Sequence, residues 1–241
     1  MTLTLLPAID VRNGKAVRLR RGESGTETDY GTPLDAAAQW ADQGATWIHL
    51  VDLDAAFDTG DNRDIVTQIV RNFGDRVHIE VSGGIRNTAA LEGMLEAGAS
   101  RVSIGTAAME QPEWTASMLA QYAERVAIGL DVKGHTVASH GWVKDAGNLF
   151  DALDFFNNAG CTRYVVTDVA RDGMLSGPNL ELLAEVARHT DARVTASGGI
   201  ATLEDLEHLK ELVPLGVDAA ILGKSLYSGA FTLREALEVS R

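Results

Sequence analysis

The sequence has few of the features that are typical of a secreted or membrane protein. It has one cysteine, Cys161, in 241 residues, so an internal disulfide is excluded, and the residues beside it form no metal-binding motif. No apolar run approaches the roughly 20 residues of a membrane-spanning helix, and the start, MTLTLLPAID, lacks the basic and long apolar segments of a signal peptide. We therefore expect a cytoplasmic protein with no membrane partner, whose cysteine is a buried structural thiol.

Positive charge is also scarce. The chain has 21 Lys and Arg against 34 Asp and Glu, a formal net charge of −13 at pH 7. Nucleic-acid affinity comes mainly from lysines and arginines that neutralise phosphates, so we expect no nucleic-acid partner. A small phosphorylated ligand is compatible with this charge, because backbone N–H groups at glycine turns and helix starts bind phosphate without a basic surface.

The motifs of common cofactor and nucleophile enzymes are missing. After the first apolar run the chain reads PAIDV rather than the G-x-G-x-x-G of a dinucleotide-binding sheet, and neither a G-x-S-x-G elbow nor a Walker loop occurs. The six histidines show neither H-x-x-x-H nor H-E-x-x-H spacing. We therefore expect an activity that needs no metal and no cofactor.

Short apolar runs alternate with amphipathic helical patterns along the chain. The eight candidate strands cover residues 3–9, 47–51, 77–81, 101–104, 125–130, 163–166, 193–196 and 219–222. Helical patterns lie between and after them, among them 33–43, 89–97, 114–123, 180–187 and 233–239. Strands that are apolar on consecutive residues are typical of parallel strands covered on both faces. Eight such units predict a (β/α)8 TIM barrel, which we expect to be a single domain over residues 1–241 and a monomer.

The two halves of the chain echo one another. SGGI at 82–85 returns at 197–200, and IGT at 104–106 is matched by LGK at 222–224. IDV at 9–11 is likewise matched by LDV at 130–132, and VD at 51–52 by TD at 167–168, so the first four strands pair in order with the last four. This spacing predicts two half-barrels of similar design, in which whatever follows the third and fourth strands is repeated after the seventh and eighth.

Glycine-rich turns follow four of these strands, at the barrel face where such enzymes hold their active sites. We name Gly83, Gly84, Gly105 and Thr106 the first cradle, and Gly198, Gly199, Gly223 and Lys224 the second cradle. Glycine lets backbone N–H groups approach an anion closely, and the start of the next helix adds a favourable dipole. A single such turn is explained equally well by chain reversal alone. Four in twofold register favour two opposed phosphate sites and an elongated ligand with a phosphate at each end.

Carboxylates stand between the cradles. Asp10 ends the first strand, Asp131 ends the fifth, and Asp172 lies in the loop after the sixth. Two carboxylates on opposite sides of a substrate can divide the work of base and acid if their environments separate their pKa values, although a lone Asp after a strand is as often a cap. Arg18, in the long first loop, is a candidate for binding a phosphate or the substrate centre. Together these features favour proton-transfer chemistry, such as isomerisation, on a phosphorylated substrate.

A set of longer motifs resembles one family. They are LLPAIDVRNGKAVRL, WIHLVDLDAAF, VSGGIRN, IGTAA, GLDVKG, VVTDVARDGMLSGPNLELL, ASGGI and ILGKSLY. They resemble the histidine-biosynthesis isomerases that act on phosphoribosylformimino-aminoimidazole carboxamide ribotide, most closely the actinobacterial phosphoribosyl isomerase A branch. The resemblance implies a (β/α)8 barrel that carries out an Amadori rearrangement, aminoaldose to aminoketose, on a bisphosphorylated substrate without a cofactor. It also implies that Asp10 is the general base at the ribose C2, that Asp172 is the general acid at the ring oxygen, and that Asp131 supports the substrate.

The same branch is often bifunctional and also isomerises phosphoribosyl anthranilate for tryptophan biosynthesis. It holds that substrate with arginines, one matching Arg18 and one in an Arg-Gly-Trp element. Here the element reads Ser139, His140, Gly141 and Trp142, so a histidine stands in the arginine position. Histidine has a shorter reach and no bidentate fork, so we expect weak or no anthranilate activity, with Trp142 free to stack on a substrate ring. Because the element SHGW has no counterpart in the first half of the chain, we expect Ser139 and His140 to govern substrate choice.

Three alternatives stay open. The first is the fully bifunctional enzyme, and the second is a noncatalytic phosphosugar-binding protein, against which the three retained aspartates count. The third is the sister cyclase of histidine biosynthesis, which shares the half-barrel design and works with ammonia from a glutaminase partner. That family usually has a lysine where this chain has Arg18.

Overall fold

A computed structural model describes residues 2–20, 23–139 and 144–241. Numbered in chain order, the strands of this part are β1 (Thr4–Arg12), β2 (Lys15–Arg20), β3 (Glu23–Asp29), β4 (Trp47–Asp52), β5 (His78–Ser82), β6 (Arg101–Ile104), β7 (Val126–Lys133), β8 (Thr136–Ser139), β9 (Lys144–Asn148), β10 (Arg163–Asp168), β11 (Arg193–Ser197) and β12 (Val217–Leu222). Eight of them pair in parallel in the order β1-β4-β5-β6-β7-β10-β11-β12, and β12 pairs with β1 to close the ring. The predicted (β/α)8 barrel is confirmed, and each barrel strand overlaps a predicted one.

Helices surround this ring. They are α1 (Pro33–Asp42), α2 (Leu53–Ala56), α3 (Arg63–Phe73), α4 (Thr88–Ala97), α5 (Thr106–Glu110), α6 (Pro112–Tyr122), α7 (Leu149–Asn158), α8 (Leu180–His189), α9 (Leu203–Glu211), α10 (Lys224–Tyr227) and α11 (Leu233–Val239). The five named helical predictions match α1, α4, α6, α8 and α11 to within two residues at each end. The start of α11 has a plain local cause: Thr232 accepts a hydrogen bond from the backbone N–H of Glu235, whose side chain accepts from the N–H of Thr232. None of the described helices is long and apolar enough to cross a membrane.

The apolar residues divide between the two sides of the strand ring. The larger cluster lies between the strands and the helices, which explains why the strands are apolar on consecutive residues. Inside the ring a smaller cluster fills the lower barrel, formed by Leu6, Ala8, Ala127, Val165, Ala219 and Ile221 with Trp47 packed against it. The barrel interior is therefore packed at this level, and the cavity that the described residues form lies near the carboxyl ends of the strands.

Two hairpins differ from the sequence prediction. Strand β1 continues past the barrel and turns at Asn13 and Gly14, whose φ angles of 48° and 74° suit a two-residue hairpin turn. Arg12 then pairs with Lys15, and β2 runs antiparallel to β1. The expectation that Arg18 lies in a long loop is therefore wrong, since it lies on β2. An Asn-Gly pair between alternating apolar residues is the hairpin signal that the sequence offered.

The second half repeats this hairpin. Strand β7 turns at Gly134, which has a φ of 61°, and Lys133 pairs with Thr136 so that β8 runs antiparallel to β7. Strand β9 then pairs with β8, as β3 pairs with β2. Strands β8 and β9, which flank residues 140–143, therefore have backbone counterparts in β2 and β3, although their sequence is not repeated. Residues 140–143, between β8 and β9, lie outside the described residues.

Candidate active site

The carboxyl ends of the barrel strands surround a cavity of about 240 Å³. Every barrel strand, or the loop directly after it, contributes to its wall. The wall includes the three candidate aspartates, the candidate arginine and both cradles, namely Asp10, Asp131, Asp172, Arg18, Gly83, Gly84, Gly105, Thr106, Gly198, Gly199, Gly223 and Lys224. Residues far apart in the sequence are thus brought to one space, with the two cradles supplied by opposite halves of the ring.

The three aspartates have unlike surroundings. Asp10 lies near the end of β1 and forms an ion pair with Arg18, with Arg18 Nη1 at 2.5 Å from Asp10 Oδ2. Asp172 lies in the loop after β10, where burial and then the negative charges of Asp10 and Asp131 raise its pKa to about 6, against a smaller lowering by Arg18. A carboxyl with such a pKa keeps a usable fraction of its proton near neutral pH. The cavity therefore holds one aspartate paired with a cation and another that can be neutral.

The loop that carries Asp172 is fixed by its own backbone. Asp168, the last residue of β10, accepts a hydrogen bond from Asp172 N on its carbonyl oxygen at 3.0 Å. Its side chain accepts from Ala170 N at 2.9 Å and from Asn179 Nδ2 at 2.7 Å. These bonds close a turn that directs the following residues toward the cavity. The sequence DVARDG therefore folds as a support for its second aspartate.

Arg18 reaches across the mouth from β2. Besides Asp10, its guanidinium donates to the carbonyl oxygen of Ala8, and its Cζ lies 4.7 Å from the ring centre of Tyr227. Burial acts to lower the pKa of Arg18, but the charges around it, Asp10 first, outweigh burial and raise that pKa, so the side chain stays charged. Its Nε is buried and finds no hydrogen-bond partner within the described chain. A Cβ built on Gly223 would lie 3.5 Å from Cζ, which places the guanidinium against the second cradle.

The Gly-Gly turns of the cradles are required by the protein itself. Gly83 and Gly198 have the same φ of 93°, in the left-handed region that favours glycine. A Cβ on Gly83 would lie 2.2 Å from the carbonyl oxygen of Asp52, and one on Gly199 would lie 2.2 Å from that of Gly177. The backbone of the neighbouring loop thus approaches these glycines closely. These glycines are predicted to bind an anion, and close packing against the neighbouring loop is a second reason for them.

The other two cradle glycines, Gly105 and Gly223, share a backbone conformation. Gly105 has φ and ψ of −93° and −109°, and Gly223 has −104° and −107°, so the twofold echo extends to the backbone angles. Each is followed at once by a short helix, α5 or α10. No heavy atom of the described chain lies within 4 Å of a Cβ built on Gly105. Lys224 donates from Nζ to the carbonyl oxygen of Gly173 at 2.8 Å, which ties the second cradle to the loop that carries Asp172.

Of the candidates for substrate specificity, only Ser139 lies among the described residues. Asp10 pairs with Val17 across the first hairpin, and Asp131 pairs with Ala138 across the second, so the next residues along, Arg18 and Ser139, hold equivalent positions. Ser139 is buried and does not line the described cavity. The position held by an arginine in the first hairpin is therefore held by a serine in the second. The two remaining candidates, at positions 140 and 142, fall outside the described residues.

Several cavity residues were missed by the sequence analysis. His49, Ser103 and Thr167 line the wall, and Tyr227 packs against Arg18 without lining it. The first three lie on barrel strands at alternate positions that face inward, and this period of two was the available signal. Cys161 does not line the cavity, and burial raises the pKa of its thiol to about 11, in keeping with the structural role expected for it. In residues 2–20, 23–139 and 144–241, no three His, Cys, Asp or Glu side chains are arranged to hold one metal ion.

Comparison with known proteins agrees with the geometry. A family model described as "Histidine biosynthesis protein" matches residues 4–232. A protein of Bifidobacterium adolescentis named 1-(5-phosphoribosyl)-5-((5-phosphoribosylamino)methylideneamino) imidazole-4-carboxamide isomerase is 68% identical over 241 residues, covering 100% of both chains. The phosphoribosyl isomerase A of Streptomyces coelicolor is 54% identical over 238 residues, covering 99% of this chain and 98% of its own. This chain therefore belongs to the histidine biosynthesis protein family.

Proposed function

We propose that this protein is the aldose–ketose isomerase of histidine biosynthesis that converts phosphoribosylformimino-5-aminoimidazole carboxamide ribotide to its ribulosyl form. One observation carries the proposal: an arginine-paired aspartate and an aspartate of raised pKa share one cavity between two cradles of matching backbone. The printed names of the relatives support the same activity. The substrate has a phosphate at each end, which fits two opposed anion sites with the sugar between them.

In the proposed reaction the two cradles hold the phosphates and the aspartates move protons. Asp172 protonates the ring oxygen, the bond from that oxygen to C1 breaks, and the nitrogen lone pair forms a C1=N bond. Asp10 removes the proton from C2, and the electrons of that bond form C1=C2 and neutralise the nitrogen. Conversion to the ketone then returns one proton to C1 and releases the proton of the C2 hydroxyl. Overall one hydrogen moves from C2 to C1 and one from the C2 oxygen to the ring oxygen, so no oxidant or cofactor is consumed.

Three further groups serve this scheme. We propose that Arg18 orients the Asp10 carboxylate and that its unpartnered Nε donates to an anion at the second cradle, against which it packs. Asp131 helps to orient the substrate and, through its charge, contributes to the raised pKa of Asp172. Lys224 adds a positive charge to the second cradle.

The experiment uses the purified protein and the bisphosphate substrate. Asp10→Asn is expected to abolish turnover while leaving substrate binding largely intact, because it replaces the base with a group of nearly the same shape. Asp191→Asn, at an exposed aspartate, is the matched control and is expected to keep full activity. Turnover that survives in Asp10→Asn would remove Asp10 from the role of base. Tight binding without turnover by the unmodified protein would instead favour a noncatalytic phosphosugar-binding protein.

We propose further that activity on phosphoribosyl anthranilate is weak or absent. His140 replaces the arginine of the family element, and Ser139 stands where the twofold partner position carries Arg18, so neither of these two positions offers a guanidinium fork to a carboxylate. Trp142 would stack on the ring of either substrate. The test is a paired assay of both substrates on the unmodified enzyme and on His140→Arg. A gain of anthranilate activity in the variant supports the proposal, whereas equal and substantial activities on both substrates would establish the bifunctional alternative.

The remaining proposals concern the protein as a whole. We propose a single-domain, cytoplasmic monomer that takes only its small-molecule substrate as partner and binds neither nucleic acid nor a cofactor. The net charge of −13 supports the absence of nucleic acid. Light scattering on the purified protein tests the monomer, for which the mass of a single chain is the expected result and twice that mass would contradict it.

A further inference from the structure

A buried ionic cluster lies on the inner wall of the barrel, and the scheme above does not use it. It consists of His49 on β4, Glu80 on β5 and Arg101 on β6. His49 pairs with Glu80 in the strand register, and Glu80 pairs with Arg101, so the three side chains stand side by side on adjacent parallel strands. The register thus builds a polar row across three strands, whereas the buried members of the inner apolar cluster lie on β1, β7, β10 and β12.

Each contact in this cluster is specific. His49 Nδ1 lies 2.8 Å from one carboxylate oxygen of Glu80, and Arg101 Nε donates to the other oxygen. The guanidinium of Arg101 stacks on the indole of Trp47, with Cζ at 4.3 Å from the ring centre. The Glu80 side chain has no solvent exposure. Both of its oxygens are therefore occupied, one by a fixed cation and one by an imidazole.

These contacts determine where the imidazole carries its proton. Burial acts to raise the pKa of Glu80, but the hydrogen bond from His49 and the charge of Arg101 outweigh it and lower that pKa to about 2, so the carboxylate is ionised. An ionised carboxylate only accepts hydrogen bonds, so Nδ1 of His49 must bear a proton. Arg101 already balances the charge of Glu80, and a neutral imidazole keeps the cluster at zero net charge. In that neutral form Nε2 has no proton and is a hydrogen-bond acceptor.

Of the three members of this cluster, His49 alone borders the cavity. His49 lines the cavity, and 11% of its side chain remains exposed, whereas Glu80 behind it has none. Ala8 pairs with His49 and Asp10 pairs with Val51, so His49 lies one inward layer below Asp10. A neutral acceptor is thus held at the floor of the cavity, beneath the proposed base.

We propose that Glu80 and Arg101 are positioning residues that hold His49 in its Nδ1–H form, and that His49 Nε2 accepts a hydrogen bond from a hydroxyl of the sugar between the two cradles. The identity of that sugar rests on the proposed function, whereas the tautomer of His49 does not. The opposite tautomer would face the carboxylate with a lone pair and present a donor to the cavity, so the ionic pair selects an acceptor. This cluster also explains why an ion pair is retained inside an otherwise packed barrel.

The first test is the ¹⁵N spectrum of the histidine side chains in the unmodified protein, with the His49 signals assigned by their loss in His49→Asn. We expect a protonated Nδ1 and an unprotonated Nε2. Glu80→Gln is expected to move the proton to Nε2, because a glutamine whose carbonyl turns toward Arg101 offers its amide N–H to the ring. A protonated Nε2 in the unmodified protein would overturn the proposal, and this result does not depend on turnover.

The second test separates the far nitrogen from the fold. In His49→Asn the side-chain amide still donates to Glu80 from about the position of Nδ1, but nothing replaces Nε2. We expect unchanged stability and about a tenfold loss of kcat/KM, in line with one lost hydrogen bond. His208→Asn, at an exposed histidine on α9, is the matched control and should change neither quantity. An unchanged kcat/KM in His49→Asn would overturn the hydroxyl contact, while an inactive unmodified protein would refute the proposed function and leave the tautomer result standing.

Discussion

Replacing Asp172 by asparagine should make the protein inactive and, at neutral pH, more stable. The surroundings that raise the pKa of Asp172 to about 6 act only on its charged form. In the unfolded chain the same carboxyl has its ordinary pKa of 3.8. Between these two values the folded protein keeps a proton that the unfolded chain has lost, so the free energy of unfolding falls as the pH rises through this window.

The magnitude follows from the two pKa values. Their difference of about two units corresponds to about 3 kcal/mol of stability that is present below about pH 4 and lost above about pH 6. Asparagine is neutral at every pH and keeps nearly the same shape, so Asp172→Asn avoids this loss. The variant should therefore exceed the unmodified protein by up to about 3 kcal/mol near pH 8 and match it near pH 4. Active sites often hold such unfavourable charge in return for chemistry.

Urea unfolding at several pH values between about 4 and 8 measures this difference directly, with the slope of each transition checked for two-state behaviour. Asp191→Asn, at an exposed aspartate, is the control and should show no pH-dependent change in stability. If Asp172→Asn shows no stabilisation near pH 8, or the same stabilisation at every pH, then Asp172 carries no unfavourable charge in the folded protein. Its assignment as the acid would then lose its physical basis.

Three further predictions can be checked with kinetics and unfolding. The value of kcat/KM should fall as the pH rises above about 6, since the free enzyme then loses the acid proton, and a pH profile flat from about 5 to 8 would contradict this. Gly199→Ala should destabilise the protein by more than about 2 kcal/mol in thermal unfolding, because its Cβ would meet the carbonyl oxygen of Gly177 at 2.2 Å. Gly105→Ala has open space at its Cβ, so this variant should keep its stability. Its methyl group should instead raise KM by intruding on the bound phosphate. Lys224→Met should lower kcat/KM roughly tenfold, through a lost cation at the second cradle and a lost bond to Gly173, and unchanged kinetics would show that neither matters.

The barrel was predictable because its strands are buried on both faces. Consecutive apolar residues in short runs leave few other structures, and all eight runs became barrel strands. The repeated SGGI and the matched strand ends also allowed the positions of both cradles to be predicted. The first hairpin was missed although Asn13 and Gly14 signalled it, since the chain after the first strand was interpreted as a loop.

The electrostatics could not be predicted in the same way. The ion pair of Glu80 and Arg101 depends on which residues face each other across two strands, and a strand register is not visible in a single sequence. The raised pKa of Asp172 likewise depends on burial and on two aspartates that are far away along the chain. A sequence shows which side chains follow strands, but pKa values follow from the distances between them.

Binding a substrate with two phosphates favours a symmetrical site, whereas acid–base catalysis needs an asymmetrical one, and this chain combines the two. A ligand with two phosphates needs two similar grips, which the repeated cradles provide with nearly identical backbone angles. Acid–base catalysis needs unlike groups on the two sides, and here the repeat is broken. Asp172 lies four residues after Asp168, whereas the residue four after the matching Asp52 is Ala56, which also lines the cavity.

The hairpins break the repeat in the opposite sense, with Arg18 in the first half and serine at the equivalent position of the second. Base and arginine therefore belong to one half of the ring and the acid to the other. Ala56→Asp would place a second carboxyl at the position that matches the acid, so it should make the cavity more symmetrical. We expect this variant to lose substrate affinity, measured by calorimetry in the Asp10→Asn background, because it adds negative charge where the first phosphate approaches; unchanged affinity would refute this placement of the phosphate.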